Sequence, residues 1–246
     1  MGELDGKVAV ITGAGSGMAK ASVRVFVREG AKVVAADISG AEQTTADEVD
    51  GDVLPVHCDV TQEDQVEALM AAAIDAYGRV DTVLNVAGVA DGGPLVDLTM
   101  EFYDRLMDVD LRGVFLGMKH GIRAMLPTGG GSIVNWSSVG GLNGSAYTSV
   151  YAAAKHGIIG ASKAAAIEYG TQGIRVNVIC PGFILTEIMA QGAEDFIPDI
   201  AAKAALNRAG QSPEVAEVGA FLASDRASFV TGAVIPVDGG WSAKLA

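Results

Sequence analysis

Tyr151-Ala152-Ala153-Ala154-Lys155 sets a phenol and an ammonium four residues apart. On a helix both lie on one face, about 40° from each other. A phenol titrates near pH ~10, so it must lose roughly three units, about 4 kcal/mol, to accept a proton well near neutrality. A nearby ammonium supplies much of that by favouring the phenolate. The same spacing also suits an ordinary amphipathic helix, so position has to decide between the two. Ser138 stands 13 residues before Tyr151, at the end of the uncharged run Ile133-Val134-Asn135-Trp136-Ser137-Ser138. A strand ending there would put a hydroxyl at the carboxyl edge of a sheet, the edge where open α/β sheets bind ligands.

A second constellation lies near the N-terminus, in Thr12-Gly13-Ala14-Gly15-Ser16-Gly17-Met18-Ala19. A glycine-rich turn between a strand and a helix lets backbone approach phosphates, and the helix start offers free N–H groups. Asp37 follows Gly17 by 20 residues, at the end of the next apolar run. A carboxylate there accepts hydrogen bonds from ribose hydroxyls and repels a 2′-phosphate, which favours NAD over NADP. The competing reading of Asp37 is a helix cap. Lys20 is the nearest base and reads as a solvated charge in the first helical turn.

These groups need a scaffold, and the hydrophobic pattern supplies one. Strand-like runs at Lys7–Thr12, Ala31–Asp37, Val53–Cys58, Val80–Val86, Ser132–Ser138 and Ile174–Cys180 alternate with helical stretches at Gly17–Glu29, Gln62–Ala76, Glu101–Met125 and Ser149–Gly170. The runs are almost continuously apolar and β-branched, as a parallel sheet covered on both faces requires. The expected fold is therefore α/β: a doubly wound, Rossmann-type parallel sheet flanked by helices on both faces. No linker or repeat divides residues 1–246, so one domain is expected. The stretch 183–207, mixing apolar and polar residues after a strand end, reads either as a substrate lid or as a packed helix pair.

Composition narrows the partners. Half of the 246 residues are hydrophobic and 19% charged, which excludes a disordered chain. The net charge of −13 opposes nucleic-acid binding. The uncharged stretch 124–154 is too rich in glycine and serine for a membrane span, and the N-terminus shows no signal-peptide pattern. Two cysteines, Cys58 and Cys180, each end an apolar run and fit buried thiols in a reducing, cytoplasmic setting. His57, His120 and His156 lack ligand-like spacing, so no metal is expected.

Taken together, the Thr12–Gly17 turn, Asn85-Val86-Ala87-Gly88, the Ser138/Tyr151/Lys155 set, Asn177…Pro181-Gly182 and Thr186 resemble the short-chain dehydrogenase/reductase family from about Asp5 to Trp241. The resemblance implies a secondary alcohol and a ketone interconverted by hydride transfer to or from NAD(H). Tyr151 would be the general acid/base, Lys155 would lower its pKa and hold the nicotinamide ribose, and Ser138 would hydrogen-bond the substrate oxygen. Gly13, Ser16, Gly17 and Met18 would bind the phosphates. Asp37 would take the ribose, and Asp59 and Val60 the adenine. Asn85, Ala87 and Gly88 would lie beneath the ribose, with Pro181, Gly182, Ile184 and Thr186 around the carboxamide. A helix cap is the competing reading of Asp59. The substrate would be a hydrophobic or medium-sized alcohol or ketone, held by Asn143, Tyr147, Phe183 and Met189 beside Tyr151. Asn143, Tyr147 and Gln191 read equally well as loop residues facing water. The small residues along the Tyr151 helix, with the resemblance, imply a homotetramer.

The sequence departs from the family pattern at three positions. Ala19 replaces the last glycine of the turn, and Val86 a second Asn. Asp110 stands where the catalytic Asn is expected, and an ionised carboxylate there would hold Lys155 charged while cancelling part of its field at Tyr151. Two rival readings follow: a catalytically impaired dinucleotide-binding sensor or scaffold, and a methyltransferase on a similar sheet. The methyltransferase reading leaves Ser138, Tyr151 and Lys155 unexplained together.

Overall fold

The structure is a computed structural model that describes residues 2–186, 199 and 201–243. Seven strands form one parallel sheet in the order β3-β2-β1-β4-β5-β6-β9. They are β1 (Val8–Thr12), β2 (Lys32–Asp37), β3 (Val53–His57), β4 (Thr82–Asn85), β5 (Gly131–Trp136), β6 (Ile174–Pro181) and β9 (Val234–Val237). Two short segments, β7 (Ile184–Leu185) and β8 (Gly210–Gln211), pair apart from it. The chain winds outward from β1 to β3, then returns to β4 on the other side of β1, which makes the switch point where a crevice opens. Pro55 sits in β3, an edge strand, where a missing ladder donor is tolerated.

Helices cover both faces. Those named below are α1 (Gly17–Arg28), α2 (Ala41–Glu48), α3 (Glu63–Tyr77), α4 (Met100–Met107), α5 (Gly113–Met125), α6 (Ser149–Tyr169) and α7 (Ser212–Ala223). One core layer packs α3, α5 and α6 on the sheet through Leu69, Met125, Ile133 and Ile158, all fully buried. The opposite layer packs α1 and α7 through Phe26, Ile11, Ile179 and Leu222. Side chains of β1 alternate between the layers, Val8 and Val10 one way, Ala9 and Ile11 the other. That is why the strand reads as an unbroken apolar run.

The helix expected over Glu101–Met125 is interrupted. A π-helical turn at Asp108–Arg112 separates α4 from α5 and turns Asp110 inward, where it is fully buried. Strand β9 and helix α2 carry weak patterns and were not expected. Lys20, expected in solvent, is buried on α1 and pairs with Glu48 of α2 at 2.9 Å. Among the described residues no helix is long and apolar enough to cross a membrane.

Candidate active site

Two cavities open along the carboxyl edge of the sheet. The first, about 430 Å³, is lined by Gly13, Ser16, Gly17, Met18, Asp37, Asp59, Val60, Ala87, Gly88 and Thr186 among others. Its floor is backbone. A Cβ on Gly13 would lie 2.9 Å from the Cα of Ala87, and Gly13 and Gly17 hold φ of +75° and +56°. Both positions therefore require glycine, and the chain gains a groove that backbone N–H groups can reach. Thr12 fixes the far wall, its hydroxyl accepting from the Val86 and Ala87 N–H groups at 3.1 and 3.2 Å.

Asp37 braces this groove. Its two carboxylate oxygens accept the N–H groups of Gly15 and Ser39, each at 2.9 Å, which holds it at the end of β2 facing the cleft. Each oxygen keeps a lone pair for a ribose hydroxyl. Asp59 both lines the cleft and closes a turn ahead of α3, accepting from the Thr61 N–H at 2.9 Å and its hydroxyl at 2.8 Å. Cys58 ends at the same wall, and burial pushes its thiol up to about 11. A glycine cradle that side chains would fill, a helix N-terminus and a ribose-facing carboxylate fit a dinucleotide.

The second cavity, about 680 Å³, is lined by Ser138, Val139, Gly140, Asn143, Gly144, Ser145, Thr148, Tyr151, Lys203, Trp241 and Ser242. Ser138 follows β5, and its hydroxyl accepts the Gly140 N–H at 3.0 Å, leaving its own hydrogen to donate. The loop lies close on α6 because residues 140 and 141 are glycines. A Cβ at Gly140 would meet the Tyr151 ring at 3.1 Å, and one at Gly141 the Ser137 hydroxyl at 2.2 Å. Ser137 ties the end of β5 to α6 by donating to the Lys155 carbonyl at 2.8 Å.

Lys155 joins the two cavities. Its buried ammonium lies 5.5 Å from the Tyr151 ring centroid and donates to the Trp136 carbonyl at 3.4 Å. Asp110 Oδ2 is 3.6 Å away, an ion pair too long for a hydrogen bond. Asp110 Oδ1 accepts the Val89 N–H at 2.8 Å. Burial holds the Asp110 carboxyl above the usual carboxylate range, against the pull of Lys155 and of the Val89 N–H. A Cβ at Gly88 would come within 2.9 Å of Asp110 Oδ1 and 3.2 Å of the Lys155 ammonium, so Gly88 is what lets this trio abut the first cavity.

Some expected residues lie elsewhere. The Asn85 carboxamide is buried beneath the cleft, donating to Asn135 at 2.7 Å, and Asn135 donates to Ser162 of α6 at 2.8 Å; Val86, Ala87 and Gly88 line the cleft instead. Pro181 and Gly182 are held on β9, the Gly182 N–H donating to Val237 at 3.0 Å. Phe183 and Ile184 line a separate cavity of about 240 Å³. Tyr147 is 67% exposed, at φ +68°, with its carbonyl accepting from Gly93 rather than lining the Ser138 cavity. Met189, Gln191 and most of the expected lid lie outside the described residues. Lys203 and Trp241 were missed, since neither belongs to a motif and 38 positions separate them.

Known proteins resemble the chain over nearly its whole length. The family profile for enoyl-(acyl carrier protein) reductase matches residues 13–242. Levodione reductase of Leifsonia aquatica is 40% identical over 96% of this chain and 94% of its own. Cis-4-hydroxycyclohexanecarboxylate dehydrogenase of Sinomonas cyclohexanicum is 42% identical over 96% and 97%. A crystal structure of levodione reductase superposes with a TM-score of 0.94 at 36% identity, covering 98% of this chain and all of the other. The chain belongs to the short-chain dehydrogenase/reductase family, whose members generally use nicotinamide cofactors.

Proposed function

We propose that this chain is an NAD(H)-dependent oxidoreductase, folded as one domain, that interconverts a hydrophobic secondary alcohol and its ketone. The observation that carries the reading is Lys155: one buried ammonium lies beside the Tyr151 ring and abuts the glycine-lined cleft through Gly88. A nicotinamide dinucleotide held by the Gly13–Met18 turn and Asp37 would supply the hydride chemistry at the carbinol carbon. In oxidation the Tyr151 phenolate takes the substrate hydroxyl proton, and in reduction Tyr151 returns it to the ketone oxygen. The Lys155 ammonium lies beside the Tyr151 ring, where its charge faces the group that exchanges the proton. Ser138 donates its free hydrogen to the substrate oxygen and so fixes the reacting carbon beside Tyr151.

NAD over NADP rests on Asp37, and on Lys20 being engaged by Glu48 rather than available to a 2′-phosphate. The cleft residues Gly13, Ser16, Gly17, Met18, Asp59, Val60, Ala87, Gly88 and Thr186 line the cofactor in this reading, and Asn143 faces the substrate. The homotetramer in this reading rests on a shallow depression between the end of α4, the π-helical turn, α5 and α6, where Met107, Leu111, Phe115, Gly157 and Ala161 lie beside the Asp108–Arg112 ion pair. Light scattering after gel filtration measures it, and a monomer would remove that part of the proposal.

The deciding experiment follows absorbance at 340 nm, where reduced nicotinamide absorbs, with NAD or NADP against cyclic, aromatic, steroidal and aliphatic secondary alcohols and their ketones. Turnover with NAD that vanishes in Tyr151→Phe supports the reading. The sensor reading has one observation in its favour, the Asp110–Lys155 ion pair at 3.6 Å. Tight NADH binding without turnover of any panel member would favour it.

A further inference from the structure

Among the described residues, Lys203 is the one charged side chain lining the Ser138/Tyr151 cavity. Its ammonium rests over the Trp241 ring, 5.7 Å from the centroid, so an aromatic face holds the charge without neutralising it. No described carboxylate pairs with it. Asp238, close in sequence to Trp241, spends its carboxylate on the N–H groups of Gly240 and Ser242 and on the Ser242 hydroxyl. Asp199, one turn before Lys203, forms no ion pair with it. Asn143, Ser145, Thr148 and Ser242, which also line the cavity, are neutral.

A chain carrying −13 repels anions at a distance, and a wholly hydrophobic alcohol has no use for a cation on the exposed rim of its binding cavity, where Lys203 lies. A substrate carboxylate does, because an ammonium donates three charge-assisted hydrogen bonds. The cavity of 680 Å³ corresponds to a sphere about 11 Å across, room for a six-membered ring between a hydroxyl and an acid group. We infer that Lys203 makes the substrate a hydroxy acid or oxo acid: a secondary alcohol or ketone that carries a carboxylate away from the reacting carbon. This rests on the dehydrogenase reading and refines its substrate.

The test compares 4-hydroxycyclohexanecarboxylate with 4-hydroxycyclohexanecarboxamide, a neutral analogue of nearly the same shape. The native enzyme should show kcat/KM about tenfold or more higher for the acid, chiefly through KM. The acid-to-amide ratio should fall toward one in Lys203→Met, invert in Lys203→Glu, and shrink as salt rises. Calorimetry supplies a readout free of turnover: cyclohexanecarboxylate should bind the enzyme–NADH complex more tightly than cyclohexanecarboxamide, and that preference should disappear in Lys203→Met. An amide turned over or bound as well as the acid overturns the inference and leaves the dehydrogenase reading intact. A ratio that survives Lys203→Met overturns it as well. Loss of turnover for every alcohol with the binding preference retained would count against the dehydrogenase reading and for Lys203.

Discussion

The two cavities at the sheet edge are built by different means. The cleft beside Gly13 is set by strand ends: the Gly13–Gly17 turn after β1, Asp37 at the end of β2, Val86–Gly88 after β4. Register holds these walls, since Ile11 faces Ala35 on one side and Leu84 on the other. The cavity beside Tyr151 draws its lining from the Ser138 loop, α6 and the chain beyond residue 200. Walls fixed by the register of strand ends are hard to move, whereas walls drawn from a loop and a distant segment can be refitted by substitution. In the dehydrogenase reading the chain thus couples a fixed cofactor groove to an adaptable substrate wall, with Lys155 and Gly88 in contact between them.

That division predicts separable losses, the largest in chemistry. Tyr151→Phe removes the proton acceptor but no part of the glycine cleft. Turnover should drop about 10³-fold or more, while NADH affinity measured by fluorescence titration stays within about twofold of native. A parallel loss of both would show that the two regions are not independent.

On the cleft side, Asp37→Ala should lower kcat/KM for NAD about 30- to 100-fold, because two backbone N–H groups and the ribose lose a charged acceptor. The NADP-to-NAD ratio should rise by a similar factor as a repelled 2′-phosphate becomes tolerated. Steady-state kinetics with both cofactors measures it, and an unchanged ratio would remove Asp37 from the basis for NAD.

At the junction, Asp110→Asn tests a charge rather than a contact. Burial raises the Asp110 carboxyl, so it takes up a proton at higher pH than an exposed carboxylate would. Above that point its negative charge favours the Lys155 ammonium while opposing part of that ammonium's field at Tyr151. Removing a negative charge lowers the pH at which neighbouring groups release their protons. Both limbs of the kcat/KM profile against pH should therefore move to lower pH, by up to about one unit. A profile that stays in place in Asp110→Asn would mean the pair is electrostatically inert.

The same division explains what could be read before the structure. Strand ends and glycine turns leave short local signatures, so Thr12–Gly17, Asp37 and the six apolar strands of residues 7–180 stand out in the sequence. The Tyr151–Lys155 spacing is equally local. Strand β9 is partly buried and carries Pro236, which leaves it almost no period. The π-helical turn at Asp108–Arg112 depends on tertiary packing around a buried carboxylate, and helical periodicity runs straight across it. Asn85 shows the limit most clearly. Its side chain serves the buried ladder to Asn135 and Ser162, while the backbone just after it shapes the cleft. Lys203 and Trp241 meet only through long-range folding, so no spacing rule could have paired them.

The smallest expected effect separates two jobs held by one side chain. Asp59 lines the cleft and also closes the turn before α3 through Thr61. Losing the hydrogen bonds of that turn costs about 1 kcal/mol, which for a chain of this size lowers Tm by about 2–4 °C. Asp59→Ala should therefore show that drop in apo protein, together with a KM for NAD raised about threefold. Asp59→Asn keeps the acceptor oxygen and discards the charge, so it should recover most of the Tm. If KM recovers with it, the adenine wall needs only a correctly folded turn. If KM stays high while Tm returns, the carboxylate itself meets the cofactor, and Asp59 joins Asp37 as a second carboxylate on the cofactor's wall. An Asp59→Ala protein with native Tm and native KM would remove the residue from both roles.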